Sequence, residues 1–240
     1  MLDRRHSAAL FKAAWTAGIR SNDSAHLSVV DELRRVILDG AVPPGTAVPV
    51  AEVADMFGVS HIPVRESLKT LTAEGLVQHR PNAGYSVAQL TTSELAEMYL
   101  VRETLESAAM AAAVLQATDA DRSHLAQVHH TLEQTLKFDD AQAYHRHSRE
   151  FHLALSRPSR MLRLVHMLES AWNITEPVQL MVHVEQNQRA ILHDDHRVML
   201  RAFLAGDAEA LLTATAVHNK RLNTVVASLP TDTGLVIDDQ

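Results

Sequence analysis

Fifteen histidines and no cysteine among 240 residues make a thiolate metal site impossible and leave imidazole as the abundant soft donor. So many imidazoles point to metal chemistry only where several converge. His152, His196 and His218 fall on three different predicted helices. His196 shares a helical face with Leu192, Met199, Leu200 and Phe203, and His218 shares one with Leu211, Ala214, Leu222 and Val225. Both faces are apolar, so both rings point into a bundle, as ligands from facing helices should. Neutral imidazoles in such a place suit zinc and related divalent ions. Each ring can equally be a buried histidine satisfied by hydrogen bonds. Arg102 lies among Met98, Tyr99, Leu105 and Ala109 and also faces inward, where a guanidinium needs an anionic partner. Glu106 or another bundle carboxylate could serve. The remaining histidines, including His129, His130, His145, His183 and His193, read as surface residues or as residues behind those three.

A second stretch carries a different chemistry. EVADMFGVSHIPVRESLKT, residues 52–70, reads as two short helices joined by a tight turn. Val53, Ala54, Phe57, Val59, Val64, Leu68 and Leu71 are spaced to bury the helices against each other. Gly58 sits where the chain turns sharply and tolerates positive φ. Ser60 suits the N-cap, and Pro63 falls in the first turn, where its missing N–H costs nothing. Arg65 points outward. Such a helix–turn–helix presents the start of its second helix to the DNA major groove. The alternatives for Arg65 are a solvated helix charge or an ion pair with Glu66 or Glu74.

These residues need elements to hold them. The chain is long enough for two domains, and 46% hydrophobic residues with few aromatics give a mostly aliphatic core and a mainly α protein. No apolar run approaches a membrane span, and residues 1–26 lack the apolar core of a secretory signal; a cytoplasmic protein is expected. The net charge of −7 is uneven: residues 1–90 hold nine Lys/Arg and nine Asp/Glu, residues 91–240 thirteen and twenty. The acidity belongs to the second half, and the first can still gather its cations on one face. Residues 1–26 form an N-terminal extension. An amphipathic helix over 27–38, a proline-interrupted connector, the helix–turn–helix and a hairpin around Pro81–Asn82–Ala83–Gly84 make a winged helix–turn–helix domain, 27–90. From 91 to 229 the periodicity is helical, predicting an antiparallel all-α bundle of about six helices: to about Gln116, Asp119–Phe138, Ala141–Leu155, from Arg157 to about Val184, Gln186–Ala205, and from Gly206 to near Leu229. Residues 230–240 read as a tail.

The run LRRVILDGAVPPGT…VAEVADMFGVSHIPVRESLKTLTAEGLVQHRPNAGYSV resembles the DNA-binding domain of the GntR family of bacterial transcription regulators. The second half resembles the FCD effector domain of the FadR subfamily, through Arg102 and Glu106 in VRETLE, Phe151–His152, His196–Arg197 with Gly206–Asp207, and His218. The resemblance implies a homodimer on a pseudo-palindromic operator in double-stranded DNA, with affinity altered by a small molecule in the helical domain. It places Ser60, His61, Ile62 and Arg65 at the groove and Gly84 at the wing tip. Arg65 is the foremost candidate, because a guanidinium pairs bidentately with guanine O6 and N7. His61 departs from the arginine usual after that serine.

The resemblance also implies an arginine at 102 that meets an effector carboxylate, and a metal held by His152, His196 and His218. Metal-binding members carry Asp one turn before the first histidine; here Ser148 stands there. The site loses its anionic donor, so three imidazoles and water would hold a divalent metal such as zinc more weakly, or the pocket is metal-free and its histidines bind an anionic effector, with Ser148 among the lining residues. The expected function is a ligand-responsive transcription regulator, a repressor by the family's habit, sensing a small organic acid. The alternatives are a regulator for which the metal itself is the signal and a metal-dependent hydrolase. A hydrolase lacks a well-placed general base and leaves the DNA-reading domain without a purpose, so no enzyme is expected.

Overall fold

A computed structural model describes residues 4–19, 28–229 and 234–236. Most of the tail, residues 1–3 and 20–26 of the extension, and residue 27 lie outside these. Ten helices and one hairpin appear among the described residues, in the order α1 (Arg4–Ile19), α2 (Val29–Leu38), α3 (Val50–Phe57), α4 (His61–Ala73), β1 (Val77–Arg80), β2 (Gly84–Val87), α5 (Thr92–Gln116), α6 (Asp119–Lys137), α7 (Ala141–Ser156), α8 (Leu162–Thr175), α9 (Gln186–Ala205) and α10 (Ala208–Ala227). The protein is mainly α. It divides into two compact units, one formed by α1 to β2 and the other by α5–α7, most of α8, α9 and α10.

The first unit is a winged helix–turn–helix. Val53, Ala54, Val64, Leu68 and Leu71 from α3 and α4 share one buried core with Leu33, Val36 and Ile37 of α2 and Leu76, Val77 and Val87 of the hairpin. Gly58 ends α3 at φ 63°, ψ 32°; no atom lies within 4 Å of where a Cβ would be, so the left-handed backbone alone calls for glycine. Strands β1 and β2 pair antiparallel from Val77↔Val87 to Arg80↔Gly84. The segment read as an extension contributes α1, whose Phe11 and Ala14 enter the same core while Trp15 packs on Phe57 with ring centroids 4.2 Å apart. Ser60 holds the N-cap position of α4, as its residue type suggests, but its side chain makes no capping hydrogen bond.

The second unit is the bundle of six α-helices. Helix α6 packs on α7 and α9, and α10 packs on α9 and α5. Thr118 and Asp121 close a reciprocal capping box at the start of α6, and Gly206 in the left-handed region ends α9. The fourth helix of the bundle is shorter than its periodicity suggests: α8 stops at Thr175 and the chain continues in short 3-10 turns to His183. The cause is local. Pro177 removes a helical N–H and disfavours helical backbone at the residue before it, and Gln179 takes a positive φ of 52°.

Candidate functional site

Helices α5, α7, α8, α9 and α10 of the second unit enclose a small cavity lined by Arg102, Ser148, His152, Trp172, His196 and His218 among others. The helical-face reasoning for His196 and His218 therefore holds, and His152 is buried with them. One ring nitrogen from each lies within 4.8 Å of the other two. His152 Nε2 and His196 Nε2 are 3.3 Å apart. Two imidazole nitrogens bound tetrahedrally to zinc at about 2.0–2.1 Å stand ~3.3 Å from each other, so this pair already has the spacing of two ligands.

The other ring nitrogens show how the site is braced. His152 Nδ1 meets Glu106 Oε2 at 2.9 Å, which fixes the ring with Nε2 toward the cavity. His218 Nδ1 lies 3.7 Å from Asp195 Oδ2, and the other oxygen of that carboxylate accepts a hydrogen bond from Arg221. Carboxylates behind ligating imidazoles raise their basicity and hold their orientation. The third ring, His196, has no such brace among the described residues; its Nδ1 is buried without a hydrogen-bond partner, and it packs against Phe151 at 4.9 Å.

The electrostatics favour the neutral form of His196 and of His218. Burial pushes the His196 pKa well below its usual value, and the neighbouring His218 and His152 push it the same way. Burial also lowers His218, with Asp195 opposing. Burial alone would raise Glu106, but the His152 imidazole and the Arg102 guanidinium outweigh it and keep the carboxylate ionised. Neutral imidazoles at buried space, as at His196 and His218, are lone-pair donors. The donor set fits a divalent ion with no carboxylate among its ligands: Ser148 is buried at the cavity wall, and the carboxylates of Glu106 and Asp195 stand behind the imidazoles.

Arg102 is buried, as its helical face implied. Its guanidinium carbon lies 3.1 Å from the centroid of the Trp172 ring and 4.4 Å from that of Tyr99, and its Nε is 3.9 Å from Glu106 Oε1. The same Glu106 oxygen accepts a hydrogen bond from Trp172 Nε1 at 3.0 Å. Glu106 therefore joins the histidine site to the arginine site. In the sequence it stands as a mark of the FCD resemblance and as a possible partner of Arg102, but not as a partner of His152. Its signal was its position one turn beyond Arg102 on the same apolar face. Asp195 was missed; it precedes His196 and shares a face with Leu192 and Met199. The cavity measures about 20 Å³. A single water requires about 10–15 Å³, so the space suits an ion or a water and is too small for an organic acid.

Three histidines set aside in the sequence are interior residues. His129, His145 and His193 are buried, with His129 and His193 stacked at 4.8 Å and His193 6.0 Å from His196. Burial, with His129 beside it, lowers His193 to about 4. His130 and His183 are exposed, as expected.

In the first unit, Ser60, His61, Ile62, Arg65 and Gly84 are all exposed. His61, Arg65 and Gly84 line one cleft between the start of α3, the start of α4 and the hairpin, together with His79 and Tyr85. Gly84 sits at the hairpin turn with φ 88°. The two carboxylates that could have claimed Arg65 are engaged elsewhere. Glu74 receives a bidentate pair from Arg34 at 2.7 and 2.8 Å, and Glu66 pairs with Lys69. Among the described residues no ion pair holds Arg65.

Profiles of two protein families match this sequence: "Bacterial regulatory proteins, gntR family" over residues 26–87 and "FCD domain" over residues 97–221. The HTH-type transcriptional regulator McbR of Escherichia coli (strain K12) is 27% identical over 197 residues, covering 78% of this chain and 85% of that one. The gluconate operon transcriptional repressor of Bacillus subtilis (strain 168) is 29% identical over 170 residues, 70% of this chain and 66% of that one. The solved structure of E. coli McbR/YncC is similar with a TM-score of 0.75 at 24% identity, over 85% of this chain and 98% of that chain, a likeness of fold.

Proposed function

The chain belongs to the GntR family of bacterial regulatory proteins with an FCD domain, a ligand-responsive DNA-binding transcription regulator, and we propose that it is a repressor whose bundle senses a small organic acid through Arg102 and the three-histidine site. The observation that carries this reading is the convergence of His152, His196 and His218 on one cavity wall that Arg102 also lines. His152, His196 and His218 would hold one divalent ion such as zinc, with Glu106 and Asp195 behind them. When bound, that ion supplies positive charge and open coordination positions for an anionic ligand. Arg102 would pair with the effector's carboxylate, and Ser148 would offer a hydroxyl to it. One relative's name, gluconate operon repressor, is consistent with a carboxylate-linked regulator.

An acid must open the cavity to enter. Arg102 and Trp172 both line the cavity, the guanidinium carbon lying over the indole 3.1 Å from its centroid, so their separation would be the step that couples binding to the bundle's shape. That change would alter how two winged units of a homodimer fit half-sites of a pseudo-palindromic operator. Ser60, His61, Ile62 and Arg65 would read the groove, with Gly84 at the wing tip. Such work is done in the cytoplasm; no helix among the described residues is long and apolar enough to cross a membrane. We assign no catalysis, since the nearest carboxylate, Glu106, is engaged by His152 and Trp172.

A second reading is favoured by the cavity's size: an ion fits it without rearrangement, so the metal itself could be the signal. Operator affinity measured in a matrix of zinc, chelator and small carboxylic acids separates the two. The Trp172 fluorescence should change with the acid that alters DNA binding, and Arg102→Ala should abolish both responses. A DNA response to zinc alone would establish the metal-signal reading, and no response to either would overturn both.

A further inference from the structure

The segment that follows α10 belongs to the first unit and not to the bundle it emerges from: residues 231–240 group with the winged helix–turn–helix. Segments beyond the last helix of a domain are ordinarily loose unless something ties them down. Here residues 234–236 are tied. Val236 N–H donates to Leu90 O at 2.9 Å, Thr91 and Val236 form a parallel bridge, and Gln89 Nε2 donates to Gly234 O at 3.2 Å. Leu235 between them is buried. Gly234 takes φ 83°, and a Cβ there would lie 3.1 Å from Pro44 Cγ, so the left-handed backbone and the close approach both call for glycine.

What this segment grips is the stretch that leads from the hairpin into α5. Val87 N–H is held by Thr46 O at 2.9 Å and Ala88 N–H by Leu76 O at 3.0 Å. Residues 234–236 continue that stitching over Gln89, Leu90 and Thr91, directly before α5 opens at Thr92. Both partners lie outside the two family matches, which cover residues 26–87 and 97–221. The bridge thus joins the chain entering α5 to the chain leaving α10. These two helices pack on each other and line the same cavity, α5 with Arg102 and α10 with His218.

We infer that residues 234–236 are a strap on the segment entering α5, through which a ligand's effect on α5 and α10 reaches the DNA-reading unit. The element with two states is the bridge itself, closed or released, and the occupancy of the bundle's cavity biases it. The inference rests on the ligand-responsive reading above and adds the route.

The experiment compares the full chain with a variant lacking residues 234–240, on a duplex selected by the full chain from a random pool. Calorimetry should show the two binding zinc alike, since none of the removed residues lines the cavity. Operator affinity is then measured in chelator, in zinc, and in acetate, lactate or gluconate with and without zinc. Coupled sites typically change one another's affinity by about 5–150-fold; that change should be present in the full chain and lost in the variant. Gly234→Val keeps every other residue, should lose the change in part, and carries the test where the shortened chain fails to fold. Hydrogen exchange supplies a readout that does not pass through DNA. The Val236 amide, bonded to Leu90 O, should exchange at different rates in chelator and in the ligand that alters DNA binding. A shortened chain that responds as fully as the intact one would overturn the inference, as would Val236 exchange that is the same in every condition. If Val236 exchange responds while operator affinity of the full chain does not, the strap stands and the ligand-responsive reading fails.

Discussion

The two functional regions handle polar groups in opposite ways. At the start of α4 the chemistry-bearing side chains are exposed, and no ion pair among the described residues holds Arg65, since Arg34 and Lys69 occupy the neighbouring carboxylates. In the bundle the polar groups are buried, and one carboxylate serves several of them: Glu106 is shared by His152, Trp172 and Arg102. The first region is built to meet a partner that brings its own hydrogen-bonding groups. The second holds space for something the size of an ion and must move to admit more. Function and stability should therefore separate cleanly at the DNA surface and be entangled in the bundle.

The largest effect should come from the scaffold beneath the exposed surface. Leu68 is completely buried between the helices of the first unit, and Leu68→Ala should destabilise that unit by about 2–5 kcal/mol, measured by chemical denaturation. Just above it, Arg65→Ala should leave the melting temperature unchanged while costing about 1–3 kcal/mol of discrimination at one operator position, read by competition between duplexes. A substantial loss of stability in Arg65→Ala would break the comparison, by making the arginine structural.

In the bundle, Glu106→Gln should weaken zinc binding about 10–100-fold and lower the melting temperature of chelator-treated protein, because one change disturbs three neighbours. A pure affinity effect with unchanged stability would show the two regions to be alike. Acidification sharpens the contrast. His193 titrates at about 4 in the folded chain, below its ordinary 6.5, mainly through burial. The unfolded chain thus binds the extra proton first, and stability is lost as pH falls from about 6.5 toward 4. His196 and His218 act in the same direction. Melting curves of metal-free protein should show this loss, and His193→Gln should reduce it. The smallest effect should be Thr118→Ala at the capping box, about 1 kcal/mol, with no change in DNA or zinc binding.

The difference between the regions also explains what the sequence made legible. The DNA-reading unit is local: the spacing of Val53, Val64, Leu68 and Leu71, the turn at Gly58 and the Arg65 position all lie within one short stretch. The bundle's helices follow from their periodicity except where Pro177 cuts α8 short, a breaker that an otherwise helical pattern conceals. Helical faces were enough to turn His196, His218 and Arg102 inward. They were not enough to find the brace of Glu106 on His152, 46 positions away, or of Asp195 on His218. Pairings between distant helices depend on packing, which no single helix encodes. The burial of His129, His145 and His193 was hidden for the same reason, since an imidazole fits a surface pattern as readily as an interior one. The small cavity likewise depends on how Trp172 and Arg102 stack, and no spacing reports that.

The most direct test of the central claim is a calorimetric zinc titration of chelator-treated wild-type protein beside His196→Ala. One ion per chain bound by the wild type and lost in His196→Ala is the expected result. Absence of binding, or binding that His196→Ala leaves unchanged, would contradict the assignment of His152, His196 and His218 as the bundle's ion site.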